Sequence, residues 1–247
     1  MINIAFIPAR AGSTGIKDKN LKKVGGISLV KRTFDQANTS EIFKEIIIST
    51  DSYRCARQIF TNLKSKDFDL VKDGSLLQVE SNIFLHKREN RLAQTLTPIR
   101  EVIFNLLQNV NYLEFDNFWM LQPTSPFRTK KEFCEIISQI KHLEVLNLNW
   151  SSIVSCKLVE DCHPDRMFKI INKYAYPVVD QSWGVNAPRQ ILSPVYLKDG
   201  GYYVMRKQNL NSLEMLGNLI VPFIREGYRT INIDSIENLK QARKFAK

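Results

Sequence analysis

The sequence predicts an α/β fold built on a mainly parallel sheet, and two observations carry that expectation. Three short, continuous apolar runs, "INIAFI" (2–7), "KEIIIST" (44–50) and "DNFWMLQ" (116–122), have the length and texture of strands buried on both faces. Stretches of helical periodicity follow the first two runs. This gives β-α-β-α, the order of a parallel sheet with helices on both sides. At 247 residues the chain can bury one full core and carry a small added lobe.

The elements follow in order. "SLVKRTFDQANTS" (28–40) sets Leu29, Val30, Phe34 and Ala37 on one helical stripe. The strand at 44–50 ends at Asp51, and "SYRCARQIFTNL" (52–63) reads as a second helix with Asp51 or Ser52 as its N-cap. Residues 64–82 are polar and irregular, and "IFLHK" (83–87) reads as a short strand. "TPIREVIFNLLQNV" (97–110) is amphipathic, with Pro98 in its first turn. The strand at 116–122 stops in "PTSPFRT" (123–129), a loop stiffened by two prolines, and 130–143 is helical. "SSIVSCKLV" (151–159) opens a different texture, with prolines at 164, 177, 188 and 194. Residues 157–195 read as a protruding lobe with Phe168, Tyr174 and Tyr176 in its core. The sheet resumes at 200–207, 219–234 supplies two short strands, and 235–247 is a closing helix capped by Ser235.

The net charge of +10 favours anionic partners such as nucleotides, sugar acids, nucleic acid or an anionic membrane surface. It fits a solvated basic surface equally well. No run reaches five like charges, which argues against a nucleic-acid arm. No apolar run approaches the roughly 20 residues of a membrane span, and the N-terminus has no basic n-region or cleavage signature. Cys55, Cys134, Cys156 and Cys162 are scattered without a C-x-x-C pair, as in a reduced cytoplasmic protein. His86, His142 and His163 are far apart and read as structural or exposed rather than metal-binding.

The loop "PARAGSTGIKDKN" (8–20) leaves the carboxyl end of the first strand, where ligands bind in open α/β sheets. Gly12 and Gly15 permit backbone N–H groups to approach an anion. Arg10 can grip phosphate oxygens as a fork, with Lys17 and Lys19 as point charges. The loop is neither a Walker A motif nor a dinucleotide fingerprint. A plain surface turn with incidental lysines accounts for the same residues.

The loop resembles the signature of the CMP-sialic acid synthetases, the acylneuraminate cytidylyltransferases. Further stretches follow in the family's order: "IIISTD" (46–51), "KRENRLA" (87–93), "LQPTSPFRT" (121–129), "APRQILSPVYLKDGGYYV" (187–204) and "TINIDSIENL" (230–239). The resemblance implies a three-layer, Rossmann-like nucleotidyltransferase core over 1–156 and 196–247, with a dimerisation lobe at 157–195. It implies a cytidylyltransferase that joins CTP to a nine-carbon 2-keto sugar acid, giving the CMP-sugar and pyrophosphate. Arg10, Ser13, Lys19 and Asn20 would cradle the triphosphate, and Arg88 would lie near the base. Gln122, Thr124 and Ser125 would face the acid. Arg189 and Gln190 would reach it from the lobe, Arg189 in the partner's site of a homodimer. Asp234 would hold Mg²⁺ (or Mn²⁺), with Arg10, Lys19 and Asp234 as the catalytic set. The implied setting is cytoplasmic synthesis of activated sugars for capsule or lipopolysaccharide, with no nucleic-acid or membrane partner. Asp234 can also be read as a helix-capping residue, Thr124 and Ser125 as turn residues, and Arg189 as an interface ion-pair residue.

Four positions depart from the family pattern. Thr14 stands where a lysine is usual, and Thr95 and Asn232 stand where aspartates are. Asp199-Gly200-Gly201 replaces Asn-Gly-Ala. An amide at 232 carries no charge for a metal. One reading is relocated charge, with Lys17 serving for Thr14 and Asp199 joining Asp234 and Asn232 as a metal ligand. The other is a different sugar acid or nucleotide, or a weakened nucleotide-binding homologue.

Overall fold

The computed structural model describes residues 1–12, 15–108, 114–179, 188–210, 212 and 214–246, the side chain of residue 189 excepted. The strands are β1 (Asn3–Pro8), β2 (Lys23–Val24), β3 (Ile27–Ser28), β4 (Glu45–Thr50), β5 (Leu76–Glu80), β6 (Ile83–Lys87), β7 (Asn117–Met120), β8 (Ser152–Leu158), β9 (Phe168–Ile171), β10 (Tyr174–Pro177), β11 (Tyr196–Arg206) and β12 (Ile220–Ile224). The α-helices are α1 (Leu29–Ser40), α2 (Tyr53–Ala56), α3 (Ser65–Leu70), α4 (Ile99–Gln108), α5 (Lys130–Val145) and α6 (Ile236–Phe245).

Eight strands form one sheet in the order β12-β8-β11-β7-β1-β4-β6-β5. β7, β1, β4 and β6 are mutually parallel, β12 is parallel to β8, and β5 and β11 run against their neighbours. The chain winds outward from β1 through β4 to β6, then returns to the other side of β1 as β7. That reversal opens a crevice at the carboxyl ends of β1 and β7.

The apolar strands are buried on both faces, as their unbroken hydrophobicity demands. Ala5, Ile7, Ile46 and Ile48 face one core with Phe34 of α1 and Phe133, Ile136 and Ile140 of α5. Ile4, Phe6 and Ile47 face the other with Val102, Ile103 and Leu106 of α4. These are the three layers of the predicted α/β fold. Helix α5 begins at a full capping box, Thr129 with Glu132, a device worth about 1 kcal/mol. A third cluster seats α6 through Leu239 and Ala242 on Ile16, Val24, Leu29 and Phe127, so it joins the N-terminal loop to the residues before α6.

Several local expectations change. The helix read over 52–63 is one turn, Tyr53–Ala56, capped by the Ser52 hydroxyl. Thr61 and Asn62 are poor helix formers, and looser turns carry Phe60 into the core instead. The irregular 64–82 contains α3 and the edge strand β5, whose polar texture follows from its exposed side. β11 starts at Tyr196, before the expected 200. In 219–234 only β12 is a strand; Gly227, at φ +61°, turns the chain away from the sheet. Within 157–195 the hairpin β9–β10 is exposed along both strands, and Phe168, Tyr174 and Tyr176 line no core, since among the described residues no second layer covers them. Among the described residues no helix is long and apolar enough to cross a membrane.

Candidate active site

The loop after β1 is anchored at both ends. Ala9 N donates to Ser49 O at 2.8 Å, Thr50 Oγ1 donates to Ala9 O at 2.6 Å, and Ala11 N donates to Asp51 Oδ1 at 2.8 Å. At the far end, buried Asn20 donates from Nδ2 to Arg10 O at 2.9 Å and draws the loop into a ring. Gly15 lies so close to the chain before α6 that a Cβ would stand 2.6 Å from Asp234 O. A Cβ at Gly12 would meet open space, so that position has no steric need for glycine.

The crevice is a cleft of about 390 Å³. Its lining includes Arg10, Lys19, Asn20 and Arg88 from the β1, β4 and β6 side, Gln122 and Thr124 after β7, and Asn232 and Asp234 before α6. Arg88 is buried, with Nε 3.3 Å from Ser49 Oγ and Nη2 3.3 Å from Ser49 O. Burial pulls its guanidinium down to about 10, with Asp51 opposing the shift and Arg10 adding to it, so it stays charged near neutrality. Behind it, Ser49 Oγ is also 2.9 Å from His86 Nδ1. Burial holds that imidazole at about 4, hence neutral at pH 7.

Lys19 Nζ donates to Asp234 Oδ1 at 2.9 Å, and Asn232 Nδ2 donates to Asp234 Oδ2 at 2.7 Å. The Asn232 side-chain oxygen is buried without a partner. Ile233 N donates to Thr124 O at 2.8 Å, which ties this segment to the loop after β7. Three cations thus share a polar cleft with one carboxylate, which Lys19 and Asn232 already engage, an arrangement suited to a polyanion. Gln122 also borders a second cavity of about 490 Å³ lined by Met120, Tyr203, Met205, Met215 and Leu216.

Other expected residues lie elsewhere. Ser13, like Thr14, falls outside the described residues, as does the Arg189 side chain. Gln190 is exposed and does not line the cleft of its own chain. Ser125 is fully buried and its hydroxyl donates to Asp199 O at 3.2 Å, so it braces the cleft wall instead of facing the cleft. Lys17 is exposed and does not line the cleft. Asp199 fails as a metal ligand: both of its oxygens are taken, one by Ser155 and Gly201 N, the other by buried Arg225 at 2.9 Å. Sequence reading missed Thr97, Leu92 and Val102 in the lining, and Arg128 beneath it. Buried Arg128 donates to Gln122 O, Ser125 O and Gly201 O, each at 2.7 Å. Only its place in "SPFRT" hinted at this.

The fold is the three-layer α/β fold of nucleotidyltransferases. Residues 4–64 match the cytidylyltransferase family model. The fold is that of the CMP:2-keto-3-deoxy-manno-octonic acid synthetase complexed with CTP, at a TM-score of 0.60 and 14% identity over 99% of this chain and 98% of that one. The sequence is similar to CMP-sialic and CMP-legionaminic acid synthetases. It is 25% identical over 233 residues to the N-acylneuraminate cytidylyltransferase of Escherichia coli, covering 94% of this chain and 49% of that protein. It is 30% identical over 155 residues to the CMP-N,N'-diacetyllegionaminic acid synthase of Legionella pneumophila, covering 62% of this chain and 56% of that protein. The chain thus spans about half the length of these curated relatives.

Proposed function

We propose that this chain is a CMP-nonulosonate synthetase, which transfers CMP from CTP to the anomeric hydroxyl of a nine-carbon 2-keto sugar acid. The supporting observation is the cleft, where Arg10, Lys19 and Arg88 stand opposite Gln122 and Thr124 with Asp234 and Asn232 at the side. The hydroxyl oxygen bonds to the α-phosphorus as the α–β phosphoanhydride bond breaks. Pyrophosphate leaves, and the proton lost by the hydroxyl is matched by the one hydrogen pyrophosphate carries. Arg10, Lys19 and Asn20 hold the phosphates, and Arg88 serves the nucleoside end. This chemistry rests on positioning and on stabilising charge. The methionine-lined recess beside Gln122 suits the acyl groups of such an acid.

The donor set fits Mg²⁺ or Mn²⁺. Asp234 is exposed and the Asn232 oxygen lacks a partner, while no group of three or more acidic, histidine or cysteine residues forms a cluster among the described residues. One carboxylate and one amide oxygen, completed by substrate phosphates and water, match how Mg²⁺ is usually held. When bound, such an ion neutralises phosphate charge and polarises the α-phosphate.

The bare hairpin, with Ile170 80% and Tyr174 70% exposed, favours a homodimer through the 157–195 lobe, since a lone two-stranded hairpin is marginal in water. Gln190, exposed and away from its own cleft, fits a role in the partner's site, as does Arg189 beside it. Use of CTP fits the cytoplasm, with the product feeding surface carbohydrate synthesis. The test is pyrophosphate release with CTP against other nucleotides and a panel of nine-carbon keto acids. Release with no acid, or with another nucleotide preferred, would overturn the reading. Light scattering tests the dimer, and a fully active monomer at micromolar concentration would exclude it.

A further inference from the structure

Asp199 and Gly201 are two of the positions at which the sequence departs from its family's pattern, and a single buried residue accounts for both. The Arg225 side chain is 1% exposed. Its Nη1 donates to Asp199 Oδ2 at 2.9 Å, its Nε to Glu132 Oε1 at 2.9 Å and its Nη2 to Phe127 O at 2.6 Å. A charge this deep needs a counter-charge and filled hydrogen bonds. Burial alone would lower the guanidinium, but Asp199 and Glu132 reverse the shift and its pKa is raised. The guanidinium also needs room. A Cβ on residue 201 would lie 2.1 Å from Arg225 Nη1, a separation no side chain there can have.

The three residues meet at a bulge. The pairing of β11 with β8 shifts register between Lys198 and Tyr203, and Asp199 Oδ1 closes the bulge on Gly201 N at 2.9 Å. At its crest Gly200 has φ +76°, and a Cβ there would lie 3.1 Å from Ser125 Oγ, 3.2 Å from Gln122 Oε1 and 3.4 Å from Asn232 Oδ1. The bulge is therefore the floor under the polar ends of Gln122 and Asn232. None of the contacts made by Arg225 reaches Arg10, Lys19 or Arg88.

We propose that Arg225 is a positioning residue for the sugar-acid half of the cleft, acting through Asp199 and Gly201 to set the height of the Gly200 turn beneath Gln122 and Asn232. The proposal rests on the reading of the cleft given above. It makes Asp199, Gly201 and Arg225 one unit that must change together.

The experiment compares the wild-type chain with Gly201→Ala, Asp199→Asn, Arg225→Leu and the triple combination, by melting temperature, CTP affinity in calorimetry and KM for each substrate. Gly201→Ala, which removes no charge, is expected to raise the KM for the sugar acid about tenfold or more while CTP affinity stays within about twofold. The triple variant is expected to melt above Asp199→Asn and Arg225→Leu and to regain part of the sugar-acid KM, the non-additivity of residues in contact. Parallel loss for both substrates, no change in either, or a triple no better than the sum of its parts overturns the proposal. If Gly201→Ala does not fold, Arg225→Lys must give the same split between substrates, and a uniform loss overturns the proposal. A wild-type chain that neither binds CTP nor releases pyrophosphate defeats the reading of the cleft, while the melting comparison still decides whether the three positions act together.

Discussion

Lys19 Nζ lies 2.9 Å from Asp234 Oδ1, so an ion pair adds to the apolar contacts between the loop after the first strand and the segment before α6. Asp234 is 65% exposed, and pairs in such settings contribute at most about 1 kcal/mol. The pair is easily exchanged: a triphosphate can take Lys19 and a cation can take Asp234. Asp234→Asn is therefore expected to leave thermal stability within about 1 kcal/mol of wild type. It should raise the Mg²⁺ needed for half activity by about tenfold or more. A Mg²⁺ titration that does not move rules Asp234 out as the metal's carboxylate.

Arg10 reaches into the cleft, with Nη1 3.2 Å from Ala93 O. Arg10→Ala should weaken CTP binding by about 1.5–3 kcal/mol, the range for a hydrogen bond to a charged group. Calorimetry on the folded variant reads this directly, and unchanged affinity would remove Arg10 from the triphosphate site.

Gly200 adopts φ +76° with oxygen atoms crowding the place of a side chain. Gly200→Ala is expected to cost about 1–2 kcal/mol from backbone strain alone. The melting temperature should fall, and so should the affinity for the sugar acid. A variant as stable as wild type would mean that the turn can relax.

His86 gives the stability a pH dependence of known sign. Its pKa is about 4 when folded against 6.5 as a free side chain, chiefly through burial, with Arg88 also lowering it. Between those values the unfolded chain binds the extra proton. Its contribution is fully present above pH 6.5 and is lost as pH falls toward 4. Between pH 7.5 and 5 the loss should be on the order of 2 kcal/mol. Denaturant melts at the two pH values should show this loss in wild type and a smaller one in His86→Gln.

The parallel half of the fold was legible because β1, β4 and β7 are buried on both faces and so are written as unbroken apolar runs. β5 was not, because an edge strand is free to be polar. In the cleft, Arg10, Lys19, Gln122 and Asp234 could be found from motifs that keep neighbours together in sequence. The Arg225 network could not. Its partners Asp199 and Glu132 lie 26 and 93 residues away, and "FIREGYRT" reads as an ordinary basic surface stretch. The reading of Asp199 as a metal ligand failed for that reason: its counter-charge was invisible until the chain was folded.

The same distance shapes how the cleft comes into being. Lys19 and Asp234 are separated by 215 residues, and the apolar seat of α6 is formed by Ile16, Val24 and Leu29. On a translating ribosome the β1, β4 and β6 half can collapse early, since its contacts are the more local ones. The wall carrying Asn232 and Asp234 must wait until residue 246 has cleared the exit tunnel. Until then the cationic loop lacks the Asp234 carboxylate, and the cleft is completed only when α6 docks.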